Sequence, residues 1–219
     1  LWGPFADYLD EVRRTRENRK FLPGVPLPAE LNWTADRAEA VARAEVIVLA
    51  MPSRFYRQVL ASFAPLITGQ PRLVSVLGRT PVAALSGPSH AEEVARGIPT
   101  AVAIACADHE VAEALQQMFN NPTFRIYTTD DVIGVELGGA LKNVIAVAAG
   151  ISDGIGFGDN SKAALITRGL AEMTRLGVAR GAHPETFAGL SGIGDLIVTC
   201  ASKLSRNRGV GERLGRGEK

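Results

Sequence analysis

The sequence predicts an α/β domain built on a mainly parallel sheet, followed by an all-helical region, with the change of class near residue 130. Three observations predict it. Short apolar runs rich in β-branched residues recur through the first part of the chain and alternate with stretches of helical period. The strand signal stops after residue 127. Beyond Asp131 the apolar residues follow a helical period throughout, with glycine-rich joints between segments.

Taken in order, residues 4–19 are charged and helical in period, and Phe21-Leu-Pro-Gly-Val-Pro26 reads as a rigid turn-rich connection. Residues 36–44 form a helix with alanines on one side. The run 45–51 is short, apolar and stopped by Pro52-Ser53, the pattern of a strand buried on both faces of a parallel sheet. Further strands are expected at 72–76, 82–85, 101–105 and 124–127, with helices at 54–63, 90–96 and 110–119. The second part offers helices at 132–150, 161–177, 184–190 and 206–214. Two features break the pattern. No Gly-x-Gly-x-x-Gly follows any strand, and the opening Leu1-Trp2-Gly3 reads as the end of a second strand. Val74-Ser75-Val76 also runs directly into Leu77-Gly78-Arg79-Thr80-Pro81-Val82, without the dozen or so residues that a crossover between parallel strands takes. A break between Val76 and Leu77 is therefore expected, with parts of a longer chain left out of this sequence.

Composition narrows the function classes. With 46% hydrophobic and 21% charged residues over 219 positions, the chain is globular rather than disordered. A net charge of +1 provides no global field for nucleic acid or an anionic membrane, so any anion binding must be local. The longest uninterrupted apolar runs fall far short of a membrane span, and the charged opening is not that of a signal peptide. Cys106 and Cys200 lie in apolar segments without metal-type spacing and read as buried free thiols in a reducing cytoplasm; no metal is expected. The oligomeric state stays open between a monomer and a homodimer.

Four segments carry chemistry. Lys142 sits inside an otherwise apolar helix, with Gly138 and Gly139 on the same face. Two helical glycines cost about 1 kcal/mol each, so something needs the space before Lys142. That could be a small ligand, with Asn143 beside it and Lys142 exchanging a proton, or simply close helix packing beside a snorkelling lysine. In Gly189-Leu-Ser-Gly-Ile-Gly-Asp195 the glycines form a tight turn before an apolar helix, and Asp195 is either a plain N-cap or the carboxylate that orients a buried lysine. Ser205-Arg206-Asn207-Arg208 opens a helix whose free amides suit a phosphate; a solvated basic stretch is the alternative. Ser86-Gly-Pro-Ser-His-Ala91 closes a strand, where open α/β sheets bind ligands. Its His90 reads as a surface residue rather than a base.

Together Ser86-Gly-Pro-Ser-His-Ala, Glu136-Leu-Gly-Gly-Ala-Leu-Lys-Asn-Val, Ser152-Asp-Gly-Ile-Gly-Phe-Gly-Asp-Asn and Gly192-Ile-Gly-Asp-Leu-Ile-Val-Thr-Cys, with Ser205-Arg-Asn, resemble the bacterial NAD(P)-dependent glycerol-3-phosphate dehydrogenases. So do Leu1-Trp-Gly, Phe21-Leu-Pro-Gly and Leu49-Ala-Met-Pro-Ser. The resemblance implies a Rossmann-like NAD(P)-binding domain over residues 1–130, incomplete at its start, and a helical substrate-binding domain over 131–219, truncated at its end. It implies interconversion of dihydroxyacetone phosphate and sn-glycerol 3-phosphate by hydride transfer, for phospholipid synthesis. Lys142 would give and take the proton at the C2 oxygen. Gly87, Ser89, Asp195, Ser205, Arg206 and Asn207 would bind the substrate, and Trp2, Ala91 and Arg206 the NAD or NADP cofactor. The family's glycine fingerprint, a Lys-Gly element after Val76 and a C-terminal cofactor-binding glutamate have no counterpart here, and Pro4 stands where the family often has a basic residue. The choice between NAD and NADP is therefore open. The rival readings are a related reductase acting on another small acid, which would not need the phosphate cradle, and a non-catalytic dimerisation or regulatory fragment.

Overall fold

The computed structural model describes residues 1–67, 72–74 and 82–218, and the expected discontinuity between Val76 and Leu77 lies outside them. The chain divides into two compact units, Leu1–Val76 and Leu77–Lys219.

The first unit opens with helix α1 (Ala6–Thr15), whose Leu9 and Val12 are buried. Arg16 ends it in the left-handed region at φ 53°, and its guanidinium donates to the carbonyls of Leu31, at 3.1 Å, and Ala29. These bonds offset the roughly 1–2 kcal/mol that a side chain costs there. Strands β1 (Glu17–Asn18) and β2 (Leu22–Pro26) then pair antiparallel. The segment read as a turn-rich connection is thus a strand of a two-stranded ribbon, where its prolines do no harm because one side of each strand is unpaired. Helix α2 (Arg37–Val41) is capped by Asp36, which accepts from the amides of Ala38 and Glu39. Strand β3 (Val46–Val48) lies parallel to β4 (Arg72–Val74), and α3 (Tyr56–Phe63) falls between them in sequence. Contrary to the sequence reading, β3 is not buried on both faces: Val48 is 54% exposed.

In the second unit β5 (Val82–Ser86) pairs antiparallel with β6 (Thr100–Ala105), which pairs parallel with β7 (Phe124–Thr129). The sheet is mixed rather than parallel throughout, because the β5–β6 connection carries only the one-turn helix α4 (Ala91–Val94) and returns the chain beside its own strand. Helix α5 (His109–Phe119), capped by Asp108, is the crossover from β6 to β7. Val102, Ile104 and Ile126 are fully buried on one face of this sheet.

From Val132 every described element is helical: α6 (Val132–Gly154), α7 (Asp159–Ala179), α8 (Pro184–Ala188), α9 (Asp195–Ala201) and α10 (Arg206–Gly215). The buried N-cap Asp131 accepts from the Gly134 amide and also from His183 N and Thr186 Oγ1, tying the start of α6 to α8. Ala146, Ala149, Met173, Phe187, Leu196 and Cys200 form the core of these helices. At 23 residues and a mean hydropathy of 1.6, α6 meets the length and apolarity of a membrane span, longer than the separate apolar runs suggest. It nevertheless packs against β5, α7, α9 and α10 and carries Glu136, Lys142 and Asp153.

Candidate active site

Lys142, midway along α6, donates to Oδ2 of Asp195, the first residue of α9. Asp195 is almost wholly buried and the Lys142 side chain is 20% exposed. Asp195 is therefore not a cap: its carboxylate caps no helix amide, and it faces α6 instead. Burial raises its pKa above the ordinary carboxylate value, and Lys142, Ser86 and Thr199 pull the other way. Ser86 Oγ donates to Asp195 Oδ2 at 3.2 Å, and Thr199 Oγ1 lies 3.4 Å from Oδ1.

The segment before Asp195 is a π-helical turn, Leu190–Gly194, where a simple tight turn was expected. It is held against α6 at Gly138, where a Cβ would stand 2.2 Å from the Ser191 carbonyl oxygen. A Cβ at Gly139 would meet Ser86 Oγ at 2.9 Å. The two glycines before Lys142 thus make room for protein rather than for a ligand, while Lys142 itself is paired rather than snorkelling to water.

Ser205 caps α10, its hydroxyl accepting from the Arg208 amide at 3.2 Å. Arg206 opens the helix exposed and in no ion pair among the described residues. Asn207 Nδ2 donates to Asn143 Oδ1 at 2.7 Å, joining the start of α10 to the residue beside Lys142. Arg208, part of the stretch that could also have been a solvated basic run, turns inward. It bonds Asp153 at 2.6 Å and Glu212 at 3.0 Å with only 11% of its side chain exposed, and Lys162 reaches the other Asp153 oxygen at 2.7 Å. The two helices meet there backbone to backbone: a Cβ at Gly150 would stand 2.0 Å from the Arg208 carbonyl oxygen, and one at Gly211 2.1 Å from that of Val147.

Gly87 is buried after β5, where a Cβ would come 2.9 Å from the Val102 backbone, and Ser89 is exposed with its hydroxyl donating to Gly87 O. Ala91 is exposed at the first residue of α4. His90, read as a surface residue, is half-buried at the N-cap position of α4, with Nε2 lacking a hydrogen-bond partner among the described residues. Trp2 belongs to the first unit, where its indole donates to Ala35 O at 3.0 Å and its ring packs edge-on against Phe63. Asp153 and Lys162 were not singled out by sequence, and the remote partners of Ser86, Asn143 and Arg208 were not foreseen. A group of three or more acidic, histidine or cysteine residues able to hold a metal does not occur among the described residues.

The C-terminal model of NAD-dependent glycerol-3-phosphate dehydrogenase matches residues 131–219, and the N-terminal model matches 1–78 and 73–112. The chain belongs to the NAD-dependent glycerol-3-phosphate dehydrogenase family. It is 50% identical over 243 residues to the glycerol-3-phosphate dehydrogenase [NAD(P)+] of Geobacter sulfurreducens, covering all of this chain and 72% of that protein. It is 51% identical over 236 residues to that of Moorella thermoacetica, covering all of this chain and 70% of the relative. The crystal structure of the Coxiella burnetii glycerol-3-phosphate dehydrogenase superposes with a TM-score of 0.94 at 39% identity, over 99% of this chain and 72% of that one. The Geobacter alignment is longer than the 219 residues of this chain, so the relative carries residues with no counterpart here. The two pieces matched by the N-terminal model meet at residues 73–78, where the sequence leaves no room for a crossover.

Proposed function

We propose that the chain interconverts dihydroxyacetone phosphate and sn-glycerol 3-phosphate with NAD(P)H, supplying glycerol 3-phosphate for phospholipid synthesis in the cytoplasm. The observation that carries this reading is the Lys142–Asp195 pair, tied through Asn143 and Asn207 to the N-terminus of α10. Residues 1–130 are read as the cofactor-binding part and 131–219 as the substrate-binding part.

Lys142 Nζ holds the proton that passes to the substrate's C2 oxygen as the ketone is reduced, and takes it back in the reverse direction. Asp195 fixes the ammonium group and balances its charge in a dry setting. The amides and dipole at the start of α10, with the Arg206 guanidinium, converge on the phosphate. Asn207, bonded to Asn143, fixes the distance between that phosphate and Lys142. Gly87 and Ser89 would contact the substrate, and Ala91, Arg206 and Trp2 would be among the residues that hold the nicotinamide cofactor. The cofactor, when bound, supplies the hydride. The residues present suit it in part, since the exposed Arg206 guanidinium would complement its phosphates and Ala91 offers a small side chain at a helix start. The glycine fingerprint that would cradle its pyrophosphate is not in this sequence.

Lys142→Ala should lower kcat by about two to four orders of magnitude, the usual worth of a positioned acid or base. Arg206→Ala should raise KM for dihydroxyacetone phosphate by the equivalent of about 1.5–3 kcal/mol, the worth of a hydrogen bond to a charged group, and leave the slow reaction of unphosphorylated dihydroxyacetone unchanged. The exposed Arg213 is the matched control. Near-full turnover without Lys142, or equal losses on both substrates without Arg206, would overturn the reading.

A further inference from the structure

We propose that Ser86 is a positioning residue for this reaction, its hydroxyl holding the Asp195 carboxylate turned toward Lys142. The proposal rests on the role of Lys142 given above. Ser86 ends β5, and its Oγ donates to Asp195 Oδ2 at 3.2 Å, the same oxygen that receives the Lys142 ammonium. Among the described residues Asp195 is the only hydrogen-bond partner of that hydroxyl.

The contact is built from both sides. Ser191, 1% exposed and four residues before Asp195, donates its own hydroxyl to the Ser86 carbonyl at 3.1 Å. The end of β5 and the turn leading into α9 are therefore cross-linked twice, once through each serine. On the third side Gly139 leaves the space the Ser86 hydroxyl occupies, since any Cβ there would stand 2.9 Å from Oγ. Gly139 lies three residues before Lys142 on the same helix face, so one turn of α6 delivers the lysine and admits the serine that steers its partner. A serine present only to pack would need neither the second cross-link nor the missing side chain opposite.

The chemistry gives the contact a purpose. Asp195 is buried, and burial disfavours its charged form. The groups that favour the charge are Lys142 from α6, Ser86 from β5 and Thr199 from α9 itself. From the other elements packed on α9, Lys162 of α7 is bound to Asp153 and Arg208 of α10 to Asp153 and Glu212. Each time Lys142 gives up its proton, its charge no longer supports Asp195. Ser86 and Thr199 then remain, and Ser86 is the one bonded to the oxygen that Lys142 has to regain.

The test compares Ser86→Ala, Ser86→Cys and Ser86→Thr in the full-length enzyme, with kcat and KM followed across pH. Removing the hydroxyl should lower kcat about tenfold or more, as expected for a hydrogen bond to a charged group, and leave KM for dihydroxyacetone phosphate within about twofold. The acid limb of the kcat profile should move to higher pH, because Asp195 then protonates more readily. Threonine keeps the hydroxyl and should restore both the rate and the limb. Cysteine, a weaker donor, should fall between, and it provides the graded readout should the alanine variant fail to fold. An unmoved acid limb in the alanine or cysteine variant, whatever the change in thermal stability, would overturn the proposal. If Ser86→Ala is silent while Lys142→Ala abolishes turnover, only the positioning role falls; if Lys142→Ala is itself active, the reading beneath it falls.

Discussion

Removing Arg208 should cost the protein far more than removing any of its exposed arginines. Its guanidinium spans Asp153 on α6, at 2.6 Å, and Glu212 on its own helix, at 3.0 Å, with exposures of 11%, 11% and 24% for the three side chains. Breaking a buried charge pair by deleting one partner costs about 3–5 kcal/mol, because the charge left behind is uncompensated. Here Asp153 keeps Lys162 at 2.7 Å and Glu212 keeps the exposed Arg216, so Arg208→Ala belongs at the lower end, about 3 kcal/mol. For a domain of this size that is a fall in Tm of roughly 6–12 °C. Arg213 offers the contrast: it is 64% exposed and 3.8 Å from Glu218, and an exposed pair is worth at most about 0.5 kcal/mol at that distance.

The measurement is thermal unfolding of the full-length enzyme for wild type, Arg208→Ala, Arg213→Ala, Asp153→Asn and the Arg208→Ala/Asp153→Asn double variant. The double variant should lose less than the two singles combined, by about 1–3 kcal/mol, since the partners are in direct contact. A Tm for Arg208→Ala within about 2 °C of wild type, or strictly additive losses, would refute the account of Arg208 as a buried tie between α6 and α10. Arg208→Lys should recover only part of the loss, since an ammonium cannot bridge both carboxylates with the geometry of a fork.

Three further outcomes follow from the same helices. Gly150→Ala should destabilise the enzyme and raise KM for dihydroxyacetone phosphate: the gain of about 1 kcal/mol in helix propensity is outweighed by a Cβ placed 2.0 Å from a backbone oxygen, which cannot rotate away, and thermal unfolding with steady-state kinetics reads both effects. Asp153 is pushed up by burial but pulled further down by its hydrogen bonds to Lys162 and Arg208, so its folded pKa lies below the ordinary 3.8. Its contribution is therefore present above about pH 4 and lost as the pH falls through the folded value; the Tm gap between wild type and Asp153→Asn should be full at pH 6 and shrink toward pH 3. Burial pushes the Cys200 thiol up to about 11, and Cys106 is equally enclosed, so neither should react with a thiol reagent at pH 8 until the protein unfolds.

How much of this was legible in the sequence depended on how local each cause was. Lys142 stood out because one charge interrupts an apolar helix, and Ser205 because a cap is read by amides two and three residues on. The antiparallel ribbon at β2 was not legible, since Leu22-Pro-Gly-Val-Pro26 has turn-forming residues and owes its extended form to pairing with Glu17–Asn18. Ser86 was quoted in its motif but passed over: its partner is 109 residues away. The ties of Arg208 were not legible for the same reason, because counting around a helical turn says where a side chain starts but not that Asp153 waits 55 residues upstream. The glycines before Lys142 were noticed for the right reason, their cost, but sequence left a ligand and close packing as alternatives, and the Ser191 carbonyl and the Ser86 hydroxyl are what stand there.

That close packing has a mechanical consequence. Along α6, Gly138 seats the turn that leads to Asp195, and Gly150, with Gly211 opposite, seats the start of α10. At each point backbone meets backbone, and no rotamer change can relieve a displacement as it could between two leucines. The Asp195 carboxylate and the α10 N-terminus are thereby referenced to one rigid rod that also carries Lys142. On the function proposed above, a proton donor and an anion site that must lie a fixed distance apart, the length of a three-carbon phosphate ester, would be well served by such a rod. Positional error of about 1 Å between them costs on the order of a hundredfold in rate. This explains why a 23-residue helix tolerates Gly138 and Gly150 despite a penalty of about 1 kcal/mol for each. The stability given up in helix propensity is recovered in the close packing of α6 with its neighbours and in the Asp153–Arg208–Lys162 tie, so weakening that tie should loosen the start of α10 before it disturbs Lys142.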